Sequence, residues 1–193
     1  PPPPPPAAEP PPTPRAPQGF LEANASHNTW FGPHDVGGQL DFMGAQEFTR
    51  RHDEVVVKSI KSNFTATGDQ FAHYPINHGN QPNMQSAWLF NFSGKPWLTQ
   101  KWTREIMERY YGLGPINGYP GDEDQGQMGA WYVMSAMGLF EMDGGCAVKP
   151  IYEIGSPIFD RVVIHLDKRY YPGGRFVIET RNNSARNVYI QSA

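Results

Sequence analysis

The chain has 193 residues, 38% hydrophobic and 13% aromatic, with a net charge of −3 and a pI of about 6.1. It has no Lys/Arg run or basic stripe, which argues against a nucleic-acid partner, and no apolar stretch approaches the roughly 18–20 residues of a membrane span. Cys146 is the single cysteine, so an internal disulfide is excluded.

Residues Pro1 to Gln18 are mostly proline. Proline lacks an N–H and fixes φ, so this tract cannot build a helix or sheet interior and reads as a polyproline-type or disordered arm. It is either a ligand for an SH3- or WW-type domain or a junction to another part of the protein. The N-terminus has neither the basic region nor the apolar core of a signal peptide. Asn-x-Ser/Thr triplets at Asn24, Asn63, Asn91 and Asn182 fit a secretory route. The roughly 175 residues after the arm suffice for one domain with a core.

A helical series follows. Gly19 to Asp35 is aromatic and polar, punctuated by Pro33, and Gln39 to Met43 reads as a short apolar turn. Glu47 to Ile60 reads as a helix in spite of Val55-Val56-Val57. Gly68 to Gly79 has no apolar period and reads as a loop. Pro82 suits the first position of a helix running through Ala87-Trp88-Leu89-Phe90 and ending near Gly94. Lys95-Pro96 restarts the chain, and Trp102, Ile106, Met107 and Tyr110 have helical spacing within Thr99 to Tyr111. Gly112 to Gly121 is a Gly/Pro loop. Gln125 to Met137 is apolar almost all round, ends at a C′ glycine, Gly138, and is expected in a core.

The character then changes. Tyr152 to Gly155, Arg161 to Leu166, Arg175 to Thr180 and Asn187 to Gln191 are short, β-branched or aromatic, and separated by turn signals such as Pro172-Gly173-Gly174. They read as antiparallel strands. Helices followed by strands make an α+β chain, with expected boundaries at 1–18 for the arm, 19–150 for the helices and 151–193 for the strands. The last expected strand meets the C-terminus with nothing to cap it, so the chain reads as a fragment or a shortened copy.

Three segments hold the polar residues that could do chemistry. The first is the run around Asp122-Glu123-Asp124, between Pro120-Gly121 and the apolar helix. Acids there either cap free N–H groups or hold a metal or take a proton from water. Three in a row flanked by glycines exceed what capping needs. The second is Gly19 to Asp35, and the third is His78-Gly79-Asn80-Gln81-Pro82. Each is a turn or helix entrance bearing carboxylates, amides or imidazoles.

Together these segments resemble glycoside hydrolase family 92, the calcium-dependent exo-α-mannosidases. Glu22-Ala23-Asn24-Ala25-Ser26-His27-Asn28-Thr29-Trp30-Phe31-Gly32-Pro33-His34-Asp35 is similar to the family pattern Glu-Gly-Asn-Ala-Trp-Gln-Tyr-Thr-Trp-Phe-x-Pro-His-Asp. His78 to Pro82 looks like His-Gly-Asn-Glu-Pro. Gly121 to Val133 and Tyr152 to Asp160 look like two further family motifs, in the family's order, so the likeness runs from Gly19 to the C-terminus. It implies a partial (α/α)6 helical barrel followed by antiparallel strands belonging to a β-sandwich, with the pocket completed by an N-terminal β-sandwich domain that has no counterpart here.

The resemblance also implies hydrolysis of terminal α-linked mannose, α-1,2 in the family's usual form, with inversion. Inversion needs one acid on the leaving oxygen and one carboxylate activating water on the opposite face. Glu22 matches the acid, and Asp122 and Asp124 match the base pair. His27, Trp30, His78 and Glu123 are the expected substrate contacts, with Glu123 directed toward the helix N-terminus. Asn80 and Gln81 match calcium-ligand positions, and mannose-containing glycans are the expected partners. Two departures stand out. Gln81 replaces the family's usual Glu, removing one negative charge from the calcium site. Ser26-His27-Asn28 replaces Trp-Gln-Tyr, removing an aromatic platform for a sugar ring. Trp30, Trp88, Trp97, Trp102 and Trp131 are candidates for other sugar contacts, with burial in a helix core the expected role of each. Two other readings remain open: a non-catalytic sugar-binding or interaction remnant, and a different helical-barrel carbohydrate enzyme.

Overall fold

The computed structural model describes residues 23–61, 75–116 and 118–193. The proline arm, Glu22 and the triplet at Asn63 lie outside the described residues.

Helix α1 (Ala25–Thr29) is capped by Asn24, whose Oδ1 accepts from the His27 N–H at 3.0 Å. Helix α2 (Val36–Met43) is capped by Asp35 and takes in the residues expected as a turn at Gln39 to Met43. Helix α3 (Ala45–Ile60) buries Phe48, His52, Val56, Ser59 and Ile60, one stripe at three- to four-residue spacing, and Arg50 bridges Glu47 and Glu54 on the opposite face. The three valines do not break it, because only Val56 is fully buried and its neighbours pack along the flanks.

The single helix expected from Pro82 to near Gly94 is three pieces: α4 (Gln81–Met84), a 3-10 turn (Ser86–Trp88) and α5 (Leu89–Phe92). The Gln85 side chain donates to the Pro82 carbonyl at 2.9 Å, and the Trp88 N–H bonds the Gln85 carbonyl at 2.9 Å. These bonds tighten the chain into i→i+3 geometry and interrupt the helix.

Helix α6 (Pro96–Tyr110) starts on its proline and buries Thr99, Gln100, Trp102, Thr103, Ile106 and Met107. It is tied to α3 by Trp102 Nε1 donating to Asp53 Oδ1 at 3.0 Å and by the Tyr110 hydroxyl donating to the Ile60 carbonyl at 2.9 Å. Helix α7 (Gln127–Met137) ends on Gly138 at φ 78°, where an added Cβ would also sit 2.6 Å from Pro157 Cδ. The expectation that α7 is enclosed needs correcting. Met128, Trp131, Ser135 and Ala136 are buried, but Val133 is 56% exposed, because α7 packs by one side only.

The core is aromatic: Trp30, Phe48, Trp88, Phe90, Trp102 and Trp131 sit in one cluster with Met84, Leu89 and Met128. Of the tryptophans expected there, Trp97 is the exception, 47% exposed beneath the Lys95 ammonium.

Two small antiparallel sheets follow. β1 (Leu139–Phe140), not foreseen from its two residues, pairs with β2 (Glu153–Ile154) in the register Leu139↔Ile154 and Phe140↔Glu153. This pairing crosses position 150, where the composition changes. β3 (Arg161–His165) and β4 (Arg175–Glu179) form a hairpin with Val162↔Ile178, Val163↔Val177 and Ile164↔Phe176. The fourth expected strand, Asn187 to Gln191, is irregular. The Ile190 N–H goes to Gln100 Oε1 of α6 at 2.9 Å, so that backbone donor is used by a side chain instead of a ladder.

Candidate active site

The first and third polar segments meet backbone to backbone. A Cβ on Gly79 would lie 2.7 Å from the Pro120 carbonyl oxygen, and one on Gly121 would lie 2.9 Å from the Gly79 carbonyl carbon. Only glycine fits on either side of this contact. The residues that follow each glycine, Asn80 and Asp122, therefore flank one junction although 42 positions separate them in sequence.

The loop before Asn80 is held by amides. Asn83 Oδ1 accepts from the Asn77 N–H at 3.0 Å, and Asn77 Oδ1 accepts from the Gly79 N–H at 2.9 Å. Asn83 Nδ2 donates to the His27 carbonyl at 2.8 Å, which ties this loop to the second segment. Asn80 is buried, in extended conformation at φ −135°, and heads α4 without a side-chain capping bond to it. Gln81, the first residue of α4, is exposed.

On the other side, Asp122 is exposed and Asp124 half-buried. Asp124 and Gln125 both have positive φ, 55° and 61°, and Gly126 follows at 95°. Consecutive left-handed non-glycine residues cost of order 1–3 kcal/mol each and gather where function over-determines the backbone. Glu123 is engaged elsewhere. Its Oε1 accepts from the Gly129 N–H at 3.1 Å and its Oε2 from the Gly126 N–H, so the carboxylate serves the entrance of α7. That occupies the group expected to touch substrate.

The remaining expected substrate contacts are buried side chains. His27 Nε2 lies 3.3 Å from Asn24 Nδ2 inside the α1 turn. Trp30 is a core residue, edge-on to Phe48 with ring centroids 5.3 Å apart and tilted against His52 at 4.5 Å. His78 Nε2 lies 3.0 Å from the Tyr111 hydroxyl, and its ring stands edge-on to Trp131 at 4.2 Å. Burial pushes the His78 pKa down to about 3, so its imidazole stays neutral across the working range. Burial also raises the Tyr111 hydroxyl pKa well above its usual value. In this chain Trp30 and His78 are therefore buried packing side chains.

Sequence reasoning missed Asn77, Asn83 and Tyr111, which position the Asn80 loop. The i, i+3, i+6 spacing of Asn77, Asn80 and Asn83 was a visible signal. Tyr111 carried none, because its partners are distant in sequence. Glu22 lies outside the described residues, next to the Ala23-Asn24 cap of α1.

Residues 5–193 match the glycosyl hydrolase family 92 catalytic domain. The chain is 27% identical over 175 residues to an uncharacterized secreted glycosidase of Arthroderma benhamiae, covering 89% of this chain and 20% of that protein. In structure it is similar to a family GH92 α-mannosidase of Bacteroides thetaiotaomicron, with a TM-score of 0.68 and 30% identity over 86% of this chain and 20% of that one. A second GH92 family glycosyl hydrolase shares the fold with a TM-score of 0.72 at 22% identity, over 90% of this chain and 25% of that one. The chain thus spans about a fifth to a quarter of the length of these relatives.

Proposed function

The chain belongs to glycosyl hydrolase family 92, and from that premise we propose that it carries the acid and base groups of an α-mannoside hydrolase. The observation that carries this reading is the glycine-on-glycine contact, which sets the Asn80 loop against the Asp122–Asp124 loop. The left-handed pair at Asp124 and Gln125 supports it.

In this proposal the Glu22 carboxylic acid gives its proton to the glycosidic oxygen as the bond to the anomeric carbon breaks. The Asp122/Asp124 pair takes a proton from water, which attacks the opposite face and inverts the anomeric centre. Glu123 caps α7 and so fixes the turn from which both aspartates project. The Asn80 amide and the two carboxylates are hard oxygen donors flanking one junction, which fits calcium in kind. No group of three His, Cys, Asp or Glu side chains gathers among the described residues, so waters and groups beyond them would complete the shell. Calcium, when bound, supplies Lewis-acid contact to sugar hydroxyls. We infer a secretory route from the secreted relative and the Asn-x-Ser/Thr triplets. The (α/α)6 barrel, the β-sandwich that completes the pocket and the α-1,2 linkage belong to this proposal as well.

The test is release of mannose from α-1,2-mannobiose with calcium and then with EDTA, reading the first-formed anomer by NMR. Asp124→Asn is expected to lower release about 10²–10⁴-fold. Calcium-dependent binding of the disaccharide without release, from folded protein, would instead support the interaction-module reading. The exposed amide of Gln81, standing where the family has a carboxylate, favours that second reading.

A further inference from the structure

The four Asn-x-Ser/Thr triplets are equivalent in sequence, and the structure separates the three that it describes. Asn24 caps α1 and is engaged with His27 through both side-chain atoms. Asn91 is half-buried, and its Nδ2 donates to Glu153 Oε2 at 2.8 Å and to the Ile154 carbonyl at 3.2 Å, tying α5 to β2. A glycan on either nitrogen would break those contacts and need room that packed side chains occupy.

Asn182 differs in every respect. It is exposed, lies in a surface bend after β4 at φ 58°, and its side-chain amide makes no hydrogen bond among the described residues. The bend is fixed without that amide. The Asn182 carbonyl accepts from Asn187 Nδ2 at 2.9 Å, and Arg104 Nη2 holds Asn183 Oδ1 at 2.7 Å. The Ser184 hydroxyl oxygen accepts from the N–H groups of Arg186 and Asn187 at 3.2 and 3.0 Å, so its own proton remains available to a partner.

We propose that Asn182 is an N-glycan attachment site, and that Asn24 and Asn91 serve the fold and stay unmodified. The proposal rests on the secretory route inferred above. The transfer joins Asn182 Nδ2 to the anomeric carbon of an oligosaccharide carried on a lipid diphosphate. The bond from that carbon to the diphosphate oxygen breaks, the lipid diphosphate leaves with the electron pair, and the amide nitrogen loses one proton to a base of the host transferase.

The experiment expresses the full chain in yeast behind a secretion leader, with a C-terminal tag bearing a control Asn-x-Thr triplet. Sites are mapped by peptide-N-glycosidase conversion of Asn to Asp in heavy-oxygen water. Glycan on Asn182 and on the tag, with Asn24 and Asn91 unmodified, is the expected result. Asn182→Asp keeps a residue tolerant of positive φ and should remove one glycan step on a gel, whereas Ser184→Thr should retain it. A modified tag with bare Asn182, or secreted folded protein modified at Asn91, overturns the proposal. Because the leader supplies entry, failure of the site is distinguished from a natural route that bypasses secretion, which is read on the unleadered protein from its own source.

Discussion

The stretch from Ile76 to Phe90 and the stretch from Ile158 to Ala193 are held by opposite means. In the first, every residue but Gln81 and Pro82 is buried, around Trp88, Leu89 and Phe90. In the second, no residue is fully buried, and the β3–β4 hairpin shows large apolar side chains such as Tyr170, Tyr171 and Phe176 to solvent. The first is stabilised by apolar area removed from water. The second is held by its own ladder and by polar clamps from α6. Arg104 Nη2 holds Asn183 Oδ1 and Gln100 holds Ile190, while just ahead of the stretch Arg104 Nε donates to the Ser156 carbonyl and to Ser156 Oγ, both at 3.0 Å, and its Nη2 to the Pro157 carbonyl. The Asn80 loop belongs to the buried stretch, which holds one side of the glycine contact in place, whereas the Asp122–Asp124 loop on the other side is exposed or half-buried.

The contrast breaks most sharply at its centre. Trp88 is fully buried, stacks on Phe140 at 5.1 Å and leaves no space for a side chain on Gly155. Trp88→Ala should cost about 3–5 kcal/mol, read as a lower urea midpoint, and should free β1–β2 together with the core. Arg104→Met attacks the other half. It strands carbonyls at Ser156 and Pro157, with an expected cost of about 1.5–3 kcal/mol, since the lost bonds are charge-assisted. Hydrogen exchange should then speed up in β3–β4 while α3 and α6 keep their protection. Equal loss of protection in both halves would sink the idea that the hairpin is clamped from outside the core.

Gly121→Ala tests the junction. The added methyl drives the two loops apart, with an expected destabilisation of about 1–3 kcal/mol and a larger proportional loss of mannose release than of stability.

The last effect is a pH slope that arises in the helical half. His52 is buried between Trp30 and Phe90, with both ring nitrogens unpartnered among the described residues, and burial pushes its pKa down to about 3, as for His78. With folded values depressed below the usual 6.5, the unfolded chain binds more protons between about pH 6.5 and about 3. Stability is therefore whole above that window and falls as pH drops through it, by up to about 1.4 kcal/mol per pH unit for each histidine. Urea midpoints at pH 7 and 5 should show roughly half that slope in His52→Phe.

The sequence by itself determined that α3, α6 and α7 are helical, where Gly138 ends α7, where the β3–β4 hairpin lies and which loops carry acids and amides, because period, proline and glycine act over a few residues. It also marked Asp122, Asp124 and Asn80 as members of one chemistry through the resemblance. The tertiary structure alone decided that Gly79 and Gly121 touch, that His78 rests on Tyr111 and Trp131, that Glu123 is used by a helix end, and that Asn187 to Gln191 gives up a strand for Gln100. Each of these depends on partners brought together by packing or on competition for one backbone donor. Such contacts leave no local pattern, since the residues that make them are set by where whole elements come to rest.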